Sequence, residues 1–295
     1  MSLPLSPEIF LLFSRYKSKN LPVKNSYLLL LALGIAFAAC NAQVNNKPTV
    51  SPSVKSIAQY DTTTRTIHIF VALCDNQYQG IVPVPAKIGN GQDPNNNLYW
   101  GCAFGIRTYF KNSKEWKLVK TIKRDSLLME RLVFKHASKN WYLVADAYNG
   151  KYIQQCTVDF LNGSCGKLKD TLYINNTVIG LAGNSKMLSY IGHDGLMDFQ
   201  LTEKFKNTDG KKRDVAILAC YSKSYFAQHL QQANVNPMLW TTGLMCPEAY
   251  TIHDAINAYL NNEGNDGVRA KGAAAYAKYQ KCSDKAARGL LVTGW

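Results

Sequence analysis

Several stretches of the chain are apolar with almost no interruption and end on a polar or reactive side chain. Thr66 to Cys74 halts at Asp75-Asn76, and Trp141 to Ala145 ends at Asp146. Met187 to Ile191 ends at Gly192-His193, Asp214 to Ala219 ends at Cys220, and Pro237 to Thr242 forms a fifth run. Short runs of this kind, bounded by turn residues, mark strands buried on both faces, as in parallel sheets. Trp116 to Ile122 instead alternates apolar with polar and reads as an outer strand. Between the strands, apolar positions recur at helical spacing over Leu98–Phe110, 151–162, 223–233 and Pro247–Asn261, and an Ala- and Lys-rich tail over 267–280 also reads as helix. A Gly/Pro/Asn-rich loop fills Gln79 to Asn97. Strands alternating with helices predict an α/β fold, a three-layer sandwich around a mostly parallel sheet, in one domain over 57–295 with no internal repeat.

The amino-terminal pattern is different. Lys24 precedes about a dozen apolar residues that close on small ones, the three-part layout of a bacterial export signal. Tyr27 to Ala39 falls short of the roughly 20 apolar residues of a membrane-spanning helix. Phe37-Ala38-Ala39-Cys40 resembles a lipobox, in which cleavage precedes a cysteine that then carries lipid. The expectation is an over-long start plus export signal at 1–39, a lipidated Cys40 with a flexible tether over 40–56, and the folded domain after it. Such a protein sits in the bacterial cell envelope as a membrane-anchored lipoprotein, in the outer membrane facing the periplasm.

Composition narrows the classes. The 295 residues are 46% hydrophobic and 18% charged, with Gly 20 and Pro 10, which excludes disorder, collagen, coiled coil and a multi-span membrane protein as descriptions of the whole. Lys+Arg 34 against Asp+Glu 20 gives a net charge of +14, a surface that favours anionic partners. The basic residues are dispersed, with Lys211-Lys212-Arg213 the one run, and no basic groove interleaved with aromatics appears, so nucleic acid is not expected as a partner. Eight cysteines and five histidines show no CxxC, HxxxH or HExxH spacing, so neither a metal nor another cofactor is expected. Without Cys40, an odd set remains: Cys74, Cys102, Cys156, Cys165, Cys220, Cys246 and Cys282. At least one thiol is therefore free of any intramolecular disulfide.

Ligands of open α/β sheets gather beyond the carboxyl ends of the strands. The side chains placed there are Asp75, Asp146, His193 and Cys220. The interval from His193 to Cys220 has room for one crossover connection, which would set the two at neighbouring strand ends. Cysteine beside histidine is the minimal constellation for thiol nucleophilic catalysis, because the imidazole takes the proton and leaves thiolate. The backbone at Gly195 and Cys220 would supply N–H groups for an oxyanion. The Gly-rich piece Ile88 to Pro94 would border the site, and Trp240 to Pro247 would wall it. His68, inside an apolar strand, reads as a core histidine, and His136, His229 and His253 read as surface residues.

Two segments carry a family resemblance. Leu188-Ser-Tyr-Ile-Gly-His-Asp-Gly195 and Val215-Ala-Ile-Leu-Ala-Cys-Tyr-Ser-Lys-Ser-Tyr-Phe226 resemble the histidine and cysteine motifs of the caspase/legumain-like cysteine peptidases, clan CD. Val71-Ala-Leu-Cys-Asp-Asn-Gln-Tyr-Gln-Gly80 is similar to the opening strand and turn of metacaspase-like domains. Asp194 stands between His193 and Gly195, where the family usually has His directly before Gly. The resemblance implies a caspase-like fold, His193 as catalytic histidine and Cys220 as nucleophile. It also suggests Asp75 and Asp146 as pocket carboxylates for a basic side chain, unless they only cap turns. The implied function is a lipid-anchored cysteine peptidase, or an acyl-transfer hydrolase, acting on a peptide or protein. The alternative is a catalytically inactive caspase-like envelope lipoprotein that serves as a binding or scaffold module.

Overall fold

The computed structural model describes residues 62–295. The export signal, Cys40 and the tether lie outside them. Within them no helix is long and apolar enough to cross a membrane.

Ten strands form: β1 (Arg65–Ala72), β2 (Trp116–Lys123), β3 (Leu128–His136), β4 (Trp141–Tyr148), β5 (Lys169–Ile174), β6 (Thr177–Ala182), β7 (Met187–Ile191), β8 (Asp214–Leu218), β9 (Asn236–Thr241) and β10 (Leu291–Val292). The helices are α1 (Ile106–Lys111), α2 (Ile153–Ser164), α3 (Ser222–Ala233), α4 (Ala249–Leu260), α5 (Gly264–Gln280) and α6 (Asp284–Leu290). One mixed sheet of eight strands runs in the order β10-β9-β8-β7-β1-β4-β3-β2, and β5 and β6 make a separate hairpin. The five central strands, β9 to β4, are parallel, and β3, β2 and β10 add antiparallel edges.

The continuous apolar runs arise because each central strand is covered twice. Ile67, Ile69 and Val71 of β1 pack into a core with Ile106 and Phe110 of α1, Tyr250 and Ile256 of α4, and Val268 of α5. Phe70 and Ala72, pointing the other way, join Phe160 of α2 and Phe226 and Leu230 of α3. Phe70–Phe160 and Phe160–Phe226 meet edge to face, at centroid distances of 6.0 Å in both pairs, which pins α2 and α3 beneath the strand ends. The β5–β6 hairpin caps Val133, Tyr142 and Val144 on that same side. The molecule is thus an α/β protein with helices on both faces of a large, mostly parallel sheet.

Two sequence expectations need correction. The helix expected over Leu98–Phe110 is confined to α1, because the preceding residues turn around Asn97, whose carbonyl accepts from the N–H groups of Trp100, Gly101 and Cys102. The second buried strand does not end at Asp146 but runs on to Tyr148. The connection from β7 to β8 holds no α-helix, only a 3-10 turn at Gly195–Met197. Strands β3, β5, β6 and β10 and helix α6 were not anticipated.

Candidate functional site

In the parallel ladder of β7 and β8, Ile191 pairs with Leu218, and Gly192 N–H donates to Leu218 O at 3.2 Å. His193 and Cys220 each stand two residues beyond that pair. Strand register therefore sets the two segments at neighbouring strand ends.

The turn carrying Cys220 is fastened to the end of β9. Thr241 Oγ1 donates to Ala219 O and accepts from Ser222 N at 3.1 Å, while Ser222 Oγ accepts from Thr241 N at 2.9 Å. Tyr221, at φ 50°, turns the chain in the left-handed region before α3 starts at Ser222. Cys220 Sγ lies 3.4 Å from Met245 N, which donates to it, and 3.6 Å from Met245 O. The segment after β9 thus forms a wall against the sulfur. Burial pushes the Cys220 thiol up from its ordinary value, and the nearby Asp194 carboxylate adds to that.

His193 is almost fully buried, and its Nε2 is 2.8 Å from Asp198 Oδ2. Burial would raise Asp198, but the hydrogen bonds from His193 and from Gly80 N–H, 2.9 Å away, hold its carboxyl below the usual range. An ionised carboxylate only accepts, so Nε2 carries the proton. Nδ1 has no hydrogen-bond partner among the described residues. Gly80 is required by this approach, since a Cβ there would lie 2.3 Å from Asp198 Oδ1. No hydrogen bond joins His193 to Cys220 among the described residues. Neither Gly195 N nor Cys220 N donates a hydrogen bond among them.

Asp194, between His193 and Gly195, accepts from Leu196 N at 3.1 Å through Oδ1, while Oδ2 is sealed in the interior without a partner. Burial and the neighbouring Asp198 push this carboxyl up to about 7.

The two aspartates expected to line a pocket do other work. Asp75 is 1% exposed; its Oδ1 accepts from Gln77 N and Tyr78 N and its Oδ2 from Gln92 Nε2, so it closes the turn after β1 and ties down the Gly-rich loop. Asp146 lies inside β4, fully buried, with Arg131 Nε and Nη2 each 2.7 Å from its oxygens and His68 Nε2 at 2.9 Å. Because His68 Nδ1 accepts from Ala182 N at 3.0 Å, its Nε2 is the protonated nitrogen and donates to Asp146. Burial would raise Asp146, yet its His68 and Arg131 partners hold it down to about 2. Asp146 is a structural ion, not a pocket residue.

His136, His229 and His253, expected at the surface, are also buried. His136 accepts from Ser138 N and Lys139 N, His229 packs edge-on to Phe205, and His253 lies between Ser113 and Asp254. Asp198 was missed by the sequence reading, although a carboxylate five residues after the candidate histidine in a turn-rich segment was its available signal. Glu248 was missed too. It follows Pro247 at the head of α4 and is 7% exposed, with burial pushing its carboxyl up to about 7. All seven cysteines among the described residues are free, and no cluster of metal-ligating residues occurs among them.

No family model, curated protein or solved structure matches this chain.

Proposed function

We propose that the protein is a cysteine peptidase, or an acyl-transfer hydrolase on peptide-like substrates, anchored to the cell envelope through Cys40. Cys220 is the nucleophile and His193 its base. The observation that supports this reading is the shared register of β7 and β8, which sets the segments that carry His193 and Cys220 at neighbouring strand ends on the carboxyl edge of a parallel sheet. It is supported by the hydrogen bonding of the imidazole: Nε2 is held by Asp198, and Nδ1 has no partner among the described residues.

In the reaction, His193 Nδ1 takes the Cys220 proton and the thiolate attacks the substrate carbonyl. The carbonyl oxygen gains negative charge, which Cys220 N–H and Gly195 N–H would meet. The imidazolium, steadied by Asp198, then returns its proton to the departing amine. The acyl-cysteine is cleared by water, or by another nucleophile if the enzyme transfers acyl groups. The caspase-like assignment belongs to this proposal and rests on the two motif segments and the order of elements around them.

A second reading, an inactive caspase-like binding module, is favoured by one observation. Burial raises the Cys220 thiol, the Met245 N–H offsets only part of that rise, and no hydrogen bond joins His193 to the sulfur among the described residues. The pH dependence of Cys220 alkylation in the folded protein separates the two. Rapid labelling well below the ordinary thiol value of about 8.5, slowed by His193→Ala, establishes the dyad. Labelling that ignores the loss of His193 leaves the binding module.

A further inference from the structure

We propose a second reactive centre, a serine–histidine–aspartate site made by Ser113, His253 and Asp254, that cleaves small carboxylic esters. It is separate from Cys220 and does not rest on the cysteine-hydrolase reading. Ser113 precedes β2, whose first residue, Trp116, is level in the sheet register with the beginnings of β4 and β1. The group therefore sits at the amino edge of the sheet, whereas Cys220 follows the carboxyl end of β8.

His253, on α4, is 7% exposed, and Tyr109 and Phe110 of α1 hold its ring edge-on at centroid distances of 5.3 and 5.4 Å. Asp254 Oδ1 lies 2.8 Å from Nδ1, and Ser113 Oγ lies 3.0 Å from Nε2. A carboxylate only accepts, so Nδ1 donates to Asp254, and in the neutral ring Nε2 is the basic nitrogen. Carboxylate on one ring nitrogen and hydroxyl on the other are the roles by which such a triad is recognised, on whatever fold it occurs.

Ser113 Oγ has further contacts. It accepts from Glu115 N at 3.1 Å and lies 2.6 Å from Glu115 Oε2, which is itself 3.4 Å from His253 Nε2. The Ser113 hydroxyl, with a smaller contribution from His253, holds the Glu115 carboxyl below the usual range. An imidazolium formed at His253 thus lies between two carboxylates, Asp254 and Glu115, and both favour it. Ser113 is half-buried and, with His253, opens on a cavity of about 410 Å³ walled by Phe104 and Tyr109 and edged by Asn112 and Lys114. That volume is in the range of small-molecule sites, and the two aromatic rings suit an apolar acyl or alcohol group.

In the reaction, Ser113 Oγ bonds to the ester carbonyl carbon as its proton passes to His253 Nε2. The bond to the alcohol oxygen then breaks, and Nε2 returns the proton to that oxygen. Water repeats the sequence on the acyl-serine and releases the acid, which restores the hydroxyl. Lys114 and Asn112, on the cavity edge, supply donors for the transient oxyanion.

The test uses the full-length protein at pH 8 with a fluorophosphonate, the labelled residue being read by peptide mass spectrometry, and p-nitrophenyl acetate and butyrate as ester substrates. Expected is a phosphonyl group on Ser113, with ester hydrolysis lost in step with labelling. His253→Gln should slow the labelling at least about 100-fold, with the urea-unfolding midpoint showing that the variant is folded. Asp254→Asn should slow it and move its pH profile to lower pH, because Nδ1 loses the anion that stabilises the imidazolium; a histidine that only packs would leave the profile where it was. Wild-type protein that takes no phosphonyl group at Ser113 overturns the proposal without recourse to any variant. So does ester hydrolysis that survives Ser113→Ala. Hydrolysis lost in Cys220→Ala, with Ser113 unlabelled in the wild type, sinks the serine site and leaves the cysteine reading standing, so the two failures are distinct.

Discussion

Asp198 Oδ2 stands 2.8 Å from His193 Nε2 and takes a second hydrogen bond, from Gly80 N–H, across the crevice. The contact fixes the imidazole tautomer and joins the loop after β1 to the turn after β7. Asp198→Asn should preserve the fold and slow neutral-reagent alkylation of Cys220 at pH 7 at least tenfold, since the amide no longer favours the imidazolium that forms as the thiol ionises. Rates measured from pH 5 to 9 check this. A slowing that is the same at every pH would mark a packing defect instead.

The Arg131–Asp146–His68 set is the main buried ion arrangement of the sheet. Removing the acid strands a buried guanidinium, so Asp146→Ala should cost about 3–5 kcal/mol, measured by urea unfolding at pH 7. Asp146 is held down to about 2 in the folded protein, against an ordinary value near 3.8. Its contribution is therefore complete above pH 4 and is lost as the pH falls through 2. Wild type and Asp146→Ala should converge in stability across that window.

Asp194 titrates in the opposite sense. Its folded value, about 7, lies above the ordinary 3.8, so the native state binds the extra proton between those values. Stability from this group is full below pH 4 and falls as the pH rises through 7. Asp194→Asn should be more stable than wild type at pH 8, by on the order of 1 kcal/mol, and should lose that advantage at pH 4. It should also speed Cys220 labelling at pH 8, because a negative charge that opposes the thiolate is gone.

Thr241 fastens the Cys220 turn through Ala219 O and Ser222 N. Thr241→Val removes both bonds while keeping the shape, leaving buried backbone groups unpaired. The expected loss is about 1–3 kcal/mol, with a drop in Cys220 labelling relative to Cys282. Denaturant melts combined with site-resolved labelling read both effects.

The strands at the middle of the sheet, β1, β7, β8 and β9, were legible because burial on both faces leaves no room for polar alternation, and their ends announced His193 and Cys220. β3 was illegible for the opposite reason. It carries Glu130 and Arg131, both buried, whose charges are answered by Lys123 of β2, Arg107 of α1, Asp146 of β4 and Asp170 of β5. Asp146 misled in the same way: a charge inside an apolar run looks like the end of a strand until its partner is seen. His253 looked like a surface residue until Ser113 and Asp254 were found against its ring nitrogens.

The sequence by itself determined the α/β class, the central strands, most of the helices and the two residues on which the chemistry is proposed to rest. These follow from local patterning, which needs no knowledge of the partner segment. Only the tertiary structure decided what each buried charge faces. It made Asp146 a structural ion and made Asp198 the partner of His193. Electrostatic pairing acts between segments far apart in the chain, so its result appears only when the strands and loops are brought together.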